Sequence, residues 1–428
     1  MRLRRLSILG LVAALTLGAT AGPSPGLAAG RAAAAPIQIT MMSGWPLNQA
    51  RGVVLQGLVN QYNKLNAGKV KVTVDINPDW PALQQQIRTM ISAGRAPDIF
   101  QYNFNPNDLS MQKSGQLLDF TPYMNAAWKA RFNPHDLATL TIGGKLLSIP
   151  FEADGVGFYY NKALFKKAGI GAFPTTWDQF FRDCGRFKKV GVAAISLQTQ
   201  DDAWLGTNIL SYLAIGLGGP SAYFGRSLDT PTMVRAATLM KQVFACSTAD
   251  AMGANYDVAS NDFLLGRTAM IADGPWAIGP IEKQFKGAAQ IGLAPAPTFA
   301  SGAGKPGDLV TDAQSPFAAG KQSSPRKAAA IANFLEFLTS PGSVKQLTLQ
   351  GKLLLSPKLQ LTAGDQQGAD PLLVHLISLY EQAPRRVVEM TRILKPAGEA
   401  KLPSLLQGLA LGSLTPAQFV QQLQASNH

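Results

Sequence analysis

The sequence predicts an α/β fold of two or three domains behind an export signal, and three observations carry that expectation. Short apolar runs with strand character alternate with segments whose apolar residues recur every three or four positions. The same alternation starts again after residue 150, following a long extended stretch broken by Pro150. A chain of 428 residues with a hydrophobic share of 46% can also bury more than one core.

The first residues have a different character. Arg2, Arg4 and Arg5 precede an apolar run from Leu6 to about Leu17, and small residues follow through Ala35. That is the three-part pattern of a secretory signal, residues 1–21, with Ala19-Thr20-Ala21 at the cleavage rule and later cleavage open between 29 and 35. The run is too short to span a bilayer, and no later stretch is long enough. No cysteine lies near the cleavage region to take a lipid. "RRLSIL" matches the twin-arginine pattern poorly, which leaves the general secretory route. The mature chain is expected to be exported and soluble, in the periplasm.

The elements follow in order. "IQITMM" (37–42) reads as a buried strand, and the turn "SGWPLN" leads to a helix with Val54, Leu55, Leu58, Val59, Tyr62 and Leu65 on one face. Val70, Val72, Val74 and Ile76 alternate as a strand does. Asp79 caps a helix that closes on Gly94, and "APDIFQYN" is a third strand. Strands joined through helices make a mainly parallel sheet, whose ligands sit beyond the carboxyl ends of the strands. In the second unit a helix ends at Gly169, and Thr175 or Thr176 caps another that carries Trp177, Phe180, Phe181, Cys184 and Phe187 on one face. "VAAISLQ" and Thr268–Ala272 are strands, and the loops leaving them carry Trp204 and Trp276. Two helices divided by Pro341-Gly342 and a further helical pair close the chain.

Composition narrows the function classes. Two cysteines (Cys184, Cys246) and three histidines (His135, His375, His428) stand at no metal-ligand spacing, so neither a metal nor any other cofactor is expected. An oxidising compartment allows a Cys184–Cys246 bridge, and two buried thiols in separate helices remain the alternative. The 39 basic against 26 acidic residues give +13, or +10 once the three signal arginines are removed. These charges are scattered and accompany no nucleic-acid motif.

"APDIFQYN", "IPFEADGVGFYYNKALFKKAGI", "FPTTWDQFFRDCGRFKK", "FLLGRTAMIADGPWAIG" and "AIANFLEFLTSPG", in this order, resemble the sugar-binding proteins of ABC importers, the family typified by maltose-binding protein. The resemblance runs across essentially the whole mature chain. It implies a two-lobed periplasmic binding protein fold of class II type with three hinge crossings, and a monomer. The implied first lobe is 36–150 plus 309–352 and the second is 151–308 plus 353–428, with crossings near 149–152, 308–313 and 352–357. It also implies partners: a small-molecule sugar, membrane permease subunits and a cytoplasmic ATPase.

Carried over residue by residue, Trp276 falls at the Gly-Pro-Trp position, whose aromatic stacks on a sugar face. Asp154 falls where an acidic or polar group bonds sugar hydroxyls, and Glu152 shares its segment. Ser43 and Trp45 fall in the loop after the first strand, and Tyr102, Asn103 and Asn105 in the loop after the third. Asp202 and Trp204 resemble a polar-plus-aromatic loop of relatives that bind glucose-like ligands. Trp80 stands near a rim position and Gln314 on the second hinge. Trp45 and the uncharged 102–105 loop depart from the charged residues of the maltose binder, which points away from maltose itself.

The chemistry stands without the family. Aromatic rings desolvate the flat C–H faces of a sugar, while carboxylates and amides satisfy its hydroxyls. An unpaired buried hydroxyl costs about 1–3 kcal/mol, enough to separate epimers. Trp128 and Trp177, on apolar helical stretches, belong to the core. Asp201, Asp262 and Asp273 suit helix caps or turns.

Three other functions are open to the same residues. Tyr159-Tyr160 could ligate ferric iron, yet neighbouring strand residues face opposite ways. Glu152 with Asp154, or Asp201 with Asp202, could form a glycosidase pair, although nothing marks one as the acid; no catalytic residue is expected. A glycerol phosphate, phosphodiester or polyol would need rim arginines, for which only Arg385 and Arg386 offer themselves.

Overall fold

The computed structural model describes residues 35–104, 108–224, 227–286 and 288–427. The stretch 1–21 expected to be an export signal and Asn105 lie outside the described residues. In chain order the strands are β1 (Ile37–Ser43), β2 (Val70–Ile76), β3 (Ile99–Gln101), β4 (Thr141–Ile142), β5 (Lys145–Leu146), β6 (Ser148–Ile149) and β7 (Glu152–Gly155). They continue with β8 (Gly157–Asn161), β9 (Ala193–Ile195), β10 (Thr268–Asp273), β11 (Ile291–Ala294), β12 (Leu309–Gln314), β13 (Phe317–Ala318) and β14 (Arg386–Val387).

The first lobe is built on a five-stranded sheet, β2-β1-β3-β13-β6. Its β1–β3 pairs are parallel because helices Ala50–Leu65 and Trp80–Ser92 carry the chain back between strands. Asp79 caps the second helix through the backbone N–H of Ala82, with Pro81 in its first turn. Leu55, Leu58, Val59 and Tyr62 of the first helix are buried at the three-to-four spacing seen in the sequence. They join Trp128, Phe151, Phe317, and Ile331 to Leu347 of the helices Pro325–Leu338 and Pro341–Leu349 in one core.

The second lobe holds a four-stranded sheet, β11-β8-β10-β9. β10 is buried at all six positions, as expected of a strand covered on both faces. The helix Trp177–Lys189 begins with a capping box between Thr176 and Gln179. Its Trp177, Phe180 and Phe187 pack with Phe158, Met240 and the C-terminal residues Leu402 to Leu423. Burying each such side chain contributes about 1.5–3 kcal/mol.

The mainly parallel expectation needs correcting. β13 runs antiparallel to both β3 and β6, and in the second sheet only β9 and β10 are parallel. β13 follows β12 across a short turn and β8 follows β7 across one residue, so neither arrives through a strand–helix–strand crossover. A third sheet, β14-β12-β7, takes part of the extended run at Glu152–Gly155, and Glu152 also bridges to Leu355.

Cys184 and Cys246 are joined in a disulfide, with Cα atoms 5.6 Å apart. The bridge ties the helix Trp177–Lys189 to the turn after the helix Pro231–Phe244. No helix among the described residues is long and apolar enough to cross a membrane.

Candidate functional site

Two groups of side chains meet where the sheets end. The first is polar. β7 places Glu152 and Asp154 on one face, and β12 pairs with it so that Gln314 lies across from Glu152. Gln314 Nε2 donates to Asp154 Oδ2 at 2.7 Å, and Asn103 Nδ2 donates to Gln314 Oε1 at 3.2 Å. Asn103 Oδ1 accepts the backbone N–H of Ser315 at 2.6 Å. Three residues from segments distant in sequence thus form one chain of bonds.

Glu152 is 2% exposed, and its Oε1 accepts no hydrogen bond among the described residues. Desolvation raises its carboxyl pKa, against a smaller pull from the Arg51 guanidinium and the Ser315 hydroxyl. Arg51 belongs to the first turn of the helix after "SGWPLN", with Nε donating to Gln49 Oε1 at 2.9 Å.

The second group is aromatic. Trp204 opens the helix Trp204–Gly218, and Trp276 sits in a 3-10 turn directly after β10. Their rings meet edge to face, with centroids 5.5 Å apart and planes at 75°. Tyr256, the first residue of the helix Tyr256–Leu264, also packs on Trp204, with ring centroids 5.3 Å apart. All three rings are half-buried. The indole of Trp276 folds back over Gly274, where any Cβ would collide with it. Arg51 acts weakly on both the Glu152 carboxyl and the Tyr256 hydroxyl, the pKa of each being raised chiefly by burial.

The loop before Trp204 is tightly wound. Asp201 and Ala203 take left-handed backbone, with φ of 58° and 52°. Asp202 between them keeps an open face, yet it accepts from the Trp204 backbone N–H inside the recess. Desolvation raises its carboxyl pKa and Asp201 adds to this, while the hydrogen bond and Arg392 counter it. Behind the loop, Glu389 receives the Thr207 hydroxyl, and burial pushes it up to about 7. Arg392, close to both acids, donates from Nη1 to the carbonyl of Phe104 at 2.9 Å, a link from the second lobe to the first.

The remaining candidates lie elsewhere. Trp45 is 1% exposed, packs on Phe151 at 5.8 Å under Arg51, and belongs to the first core rather than to an open face. Tyr102 is fully buried, its hydroxyl donating to Asp108 Oδ1 at 2.8 Å. Ser43, also fully buried, donates to Gln101 Oε1 at 2.6 Å and braces the loop after β1. Trp80 is half-buried against Gly44, leaving part of its ring at the rim. Trp204 and Trp276 come from one lobe and touch each other, so they form one wall and not two facing ones. Arg51, Tyr256 and Asp273 stand beside these groups although their local sequence does not mark them for it. Only the position of Arg51 just past the first post-strand loop is a usable signal.

The structure also locates residues of the other functions. Tyr159 donates to the Gly274 carbonyl at 3.1 Å, and Tyr160 packs on Phe165 and Phe173. Arg385 is engaged by Asp308, and Arg386 lies over the Tyr380 ring at 4.7 Å.

This geometry agrees with comparisons to known proteins. Residues 46–345 match the family pattern of bacterial extracellular solute-binding proteins, and the chain belongs to that family. A binding protein of Brucella abortus is 28% identical over 238 residues, 52% of this chain and 55% of its own. The maltotriose-binding protein of Pyrococcus abyssi is 24% identical over 253 residues, 57% of this chain and 50% of its own. The chain spans about half the length of the curated relatives it matches. A solved chitin oligosaccharide binding protein superposes with a TM-score of 0.79 at 20% identity, over 91% of this chain and 98% of that one, which establishes the two-lobed fold.

Proposed function

We propose that the chain is the exported solute-binding component of an ABC importer and captures an uncharged mono- or oligosaccharide between its lobes for a membrane permease. The observation that carries this is the half-open ring wall of Trp204, Trp276 and Tyr256, in a chain that also gathers Glu152, Asp154 and Gln314 on the paired strands β7 and β12. The rings suit sugar C–H faces, and Glu152, Asp154, Asp202 and Gln314 suit hydroxyls. Relatives named for maltotriose and chitin oligosaccharides support the same class of ligand.

Capture is a change of population. Contacts made from both lobes at once favour the closed form, with β7, β12 and the segment around Leu355 as the hinge. Lobe boundaries near residues 150, 309 and 352, a signal at 1–21, and an ATPase on the cytoplasmic side complete the proposal. A phosphorylated ligand is disfavoured because Arg385 and Arg386, the two arginines it called for, are held by Asp308 and Tyr380.

The test is a thermal-shift and calorimetric screen of the mature protein against mono- and oligosaccharides, polyols and glycerophosphodiesters. A sugar is expected to raise the unfolding midpoint. A shift with glycerophosphodiesters alone overturns the proposal.

A further inference from the structure

Asp273 is fully buried at the end of β10, directly behind the ring wall. Its Oδ1 accepts the backbone N–H of Gly274 at 2.7 Å and its Oδ2 the Tyr256 hydroxyl at 3.0 Å. The Trp276 indole lies directly over Gly274, the residue whose N–H this carboxyl group holds. One acidic side chain therefore holds the Tyr256 ring by its hydroxyl and the turn beneath the Trp276 ring by a backbone N–H, and Trp204 contacts both rings. Tyr256 is further fixed from below, since Asn255 caps its helix through the backbone N–H of Val258.

We propose that Asp273 is the positioning residue that sets the angle of the Tyr256 ring directly and that of the Trp276 ring through the Gly274 turn. The inference rests on the carbohydrate function proposed above. A carboxylate offers two oxygens that only accept, one for each of the two converging donors; an asparagine offers one such oxygen and an amide NH2 donor. Without the carboxylate, the Tyr256 hydroxyl and the Gly274 N–H lose their buried acceptor, and the Tyr256 ring and the turn under Trp276 shift toward whatever partner remains. A wall built in this way presents a sugar with a fixed set of planes, so its selectivity depends on a residue that never touches the ligand.

The test compares Asp273→Ala, Asp273→Asn and Tyr256→Phe with the unaltered protein. Calorimetry against maltotriose, glucose, xylobiose and diacetylchitobiose gives affinity, near-ultraviolet circular dichroism of the ligand-free proteins gives ring geometry, and thermal unfolding gives stability. Asp273→Ala is expected to weaken the best sugar about tenfold or more, and Tyr256→Phe about threefold, with altered aromatic bands in both. Asp273→Asn should recover part of the affinity and part of the spectrum, with midpoints held close to the parent. Unchanged bands and affinity in Asp273→Ala overturn the positioning role while leaving the carbohydrate function standing. Affinity that falls only in proportion to the midpoint also overturns it. A parent protein that binds no sugar in this panel or in the wider screen removes the carbohydrate function, and the positioning role that rests on it.

Discussion

Trp45 and Trp276 both leave the end of a strand in a short turn holding glycine and proline, yet the two lobes use them differently. Trp45 is sealed at 1% exposure against Phe151, whereas Trp276 is half-open, braced by Gly274 and by Trp204. The difference arises from the helix that comes after each ring. Beyond Trp45 the helix Ala50–Leu65 packs down on the sheet and carries Arg51 over the indole. Beyond Trp276 the chain turns at once into the helix Ile278–Phe285, and the indole leans back on its own backbone. A post-strand tryptophan is a ligand candidate only where the next helix leaves its face uncovered.

Exchanging these residues separates the two uses. Trp45→Ala should cost about 3–5 kcal/mol of stability, as removal of a core aromatic does, and denaturant unfolding measures it. A loss below about 1 kcal/mol would place Trp45 on the ligand side after all. Within the second lobe, replacing Cys184 and Cys246 together by serine should cost about 2–4 kcal/mol, because the bridge closes a separation of 62 residues. Equal unfolding curves with and without reductant would contradict this. Trp276→Ala should weaken sugar binding about tenfold, near 1.4 kcal/mol, with the unfolding midpoint nearly kept. A collapsed fold would return Trp276 to the core and erase the contrast with Trp45.

A separate expectation is a pH slope assigned to the second lobe. Burial raises Asp273 and Glu389 to about 7 in the folded chain, from ordinary values of 3.8 and 4.5. Each carboxyl then binds its proton more tightly folded than unfolded, so the folded state holds more protons between about pH 4 and 7. Stability from these two groups is highest below that window and falls as pH rises through it. Unfolding midpoints of Asp273→Asn with Glu389→Gln should show a flatter dependence there than the parent; a parallel dependence would show that other groups control it.

Periodicity exposed most of the scaffold: β1, β2, the helix Ala50–Leu65, the Thr176 cap, β10 and the last helical pairs were visible in spacing and punctuation. Strand direction was not, because β8 and β13 take theirs from chain returns and not from local pattern. In the site, order along the chain brought out Trp204, Trp276, Glu152, Asp154, Asn103 and Gln314, and the last three prove to share hydrogen bonds. Arg51, Tyr256 and Asp273 stayed hidden since each looks ordinary locally: a helix arginine, a helix-start tyrosine and an acid that suits a turn. Their roles come from segments that meet only in three dimensions. Trp45 and Tyr102 failed to stand apart for the same reason, since burial is set by a neighbouring segment that sequence spacing does not identify.

The covering helices also impose an order of assembly. When synthesis has reached Gln314, the first sheet lacks only β13, but Pro325–Leu338 and Pro341–Leu349, which cover it, do not yet exist. The second lobe waits longer still, since Phe419, Val420 and Leu423 sit in its core. The first core is complete only once Leu355 has emerged and the second only once Leu423 has, so the strands of each stay uncovered through a long stretch of synthesis.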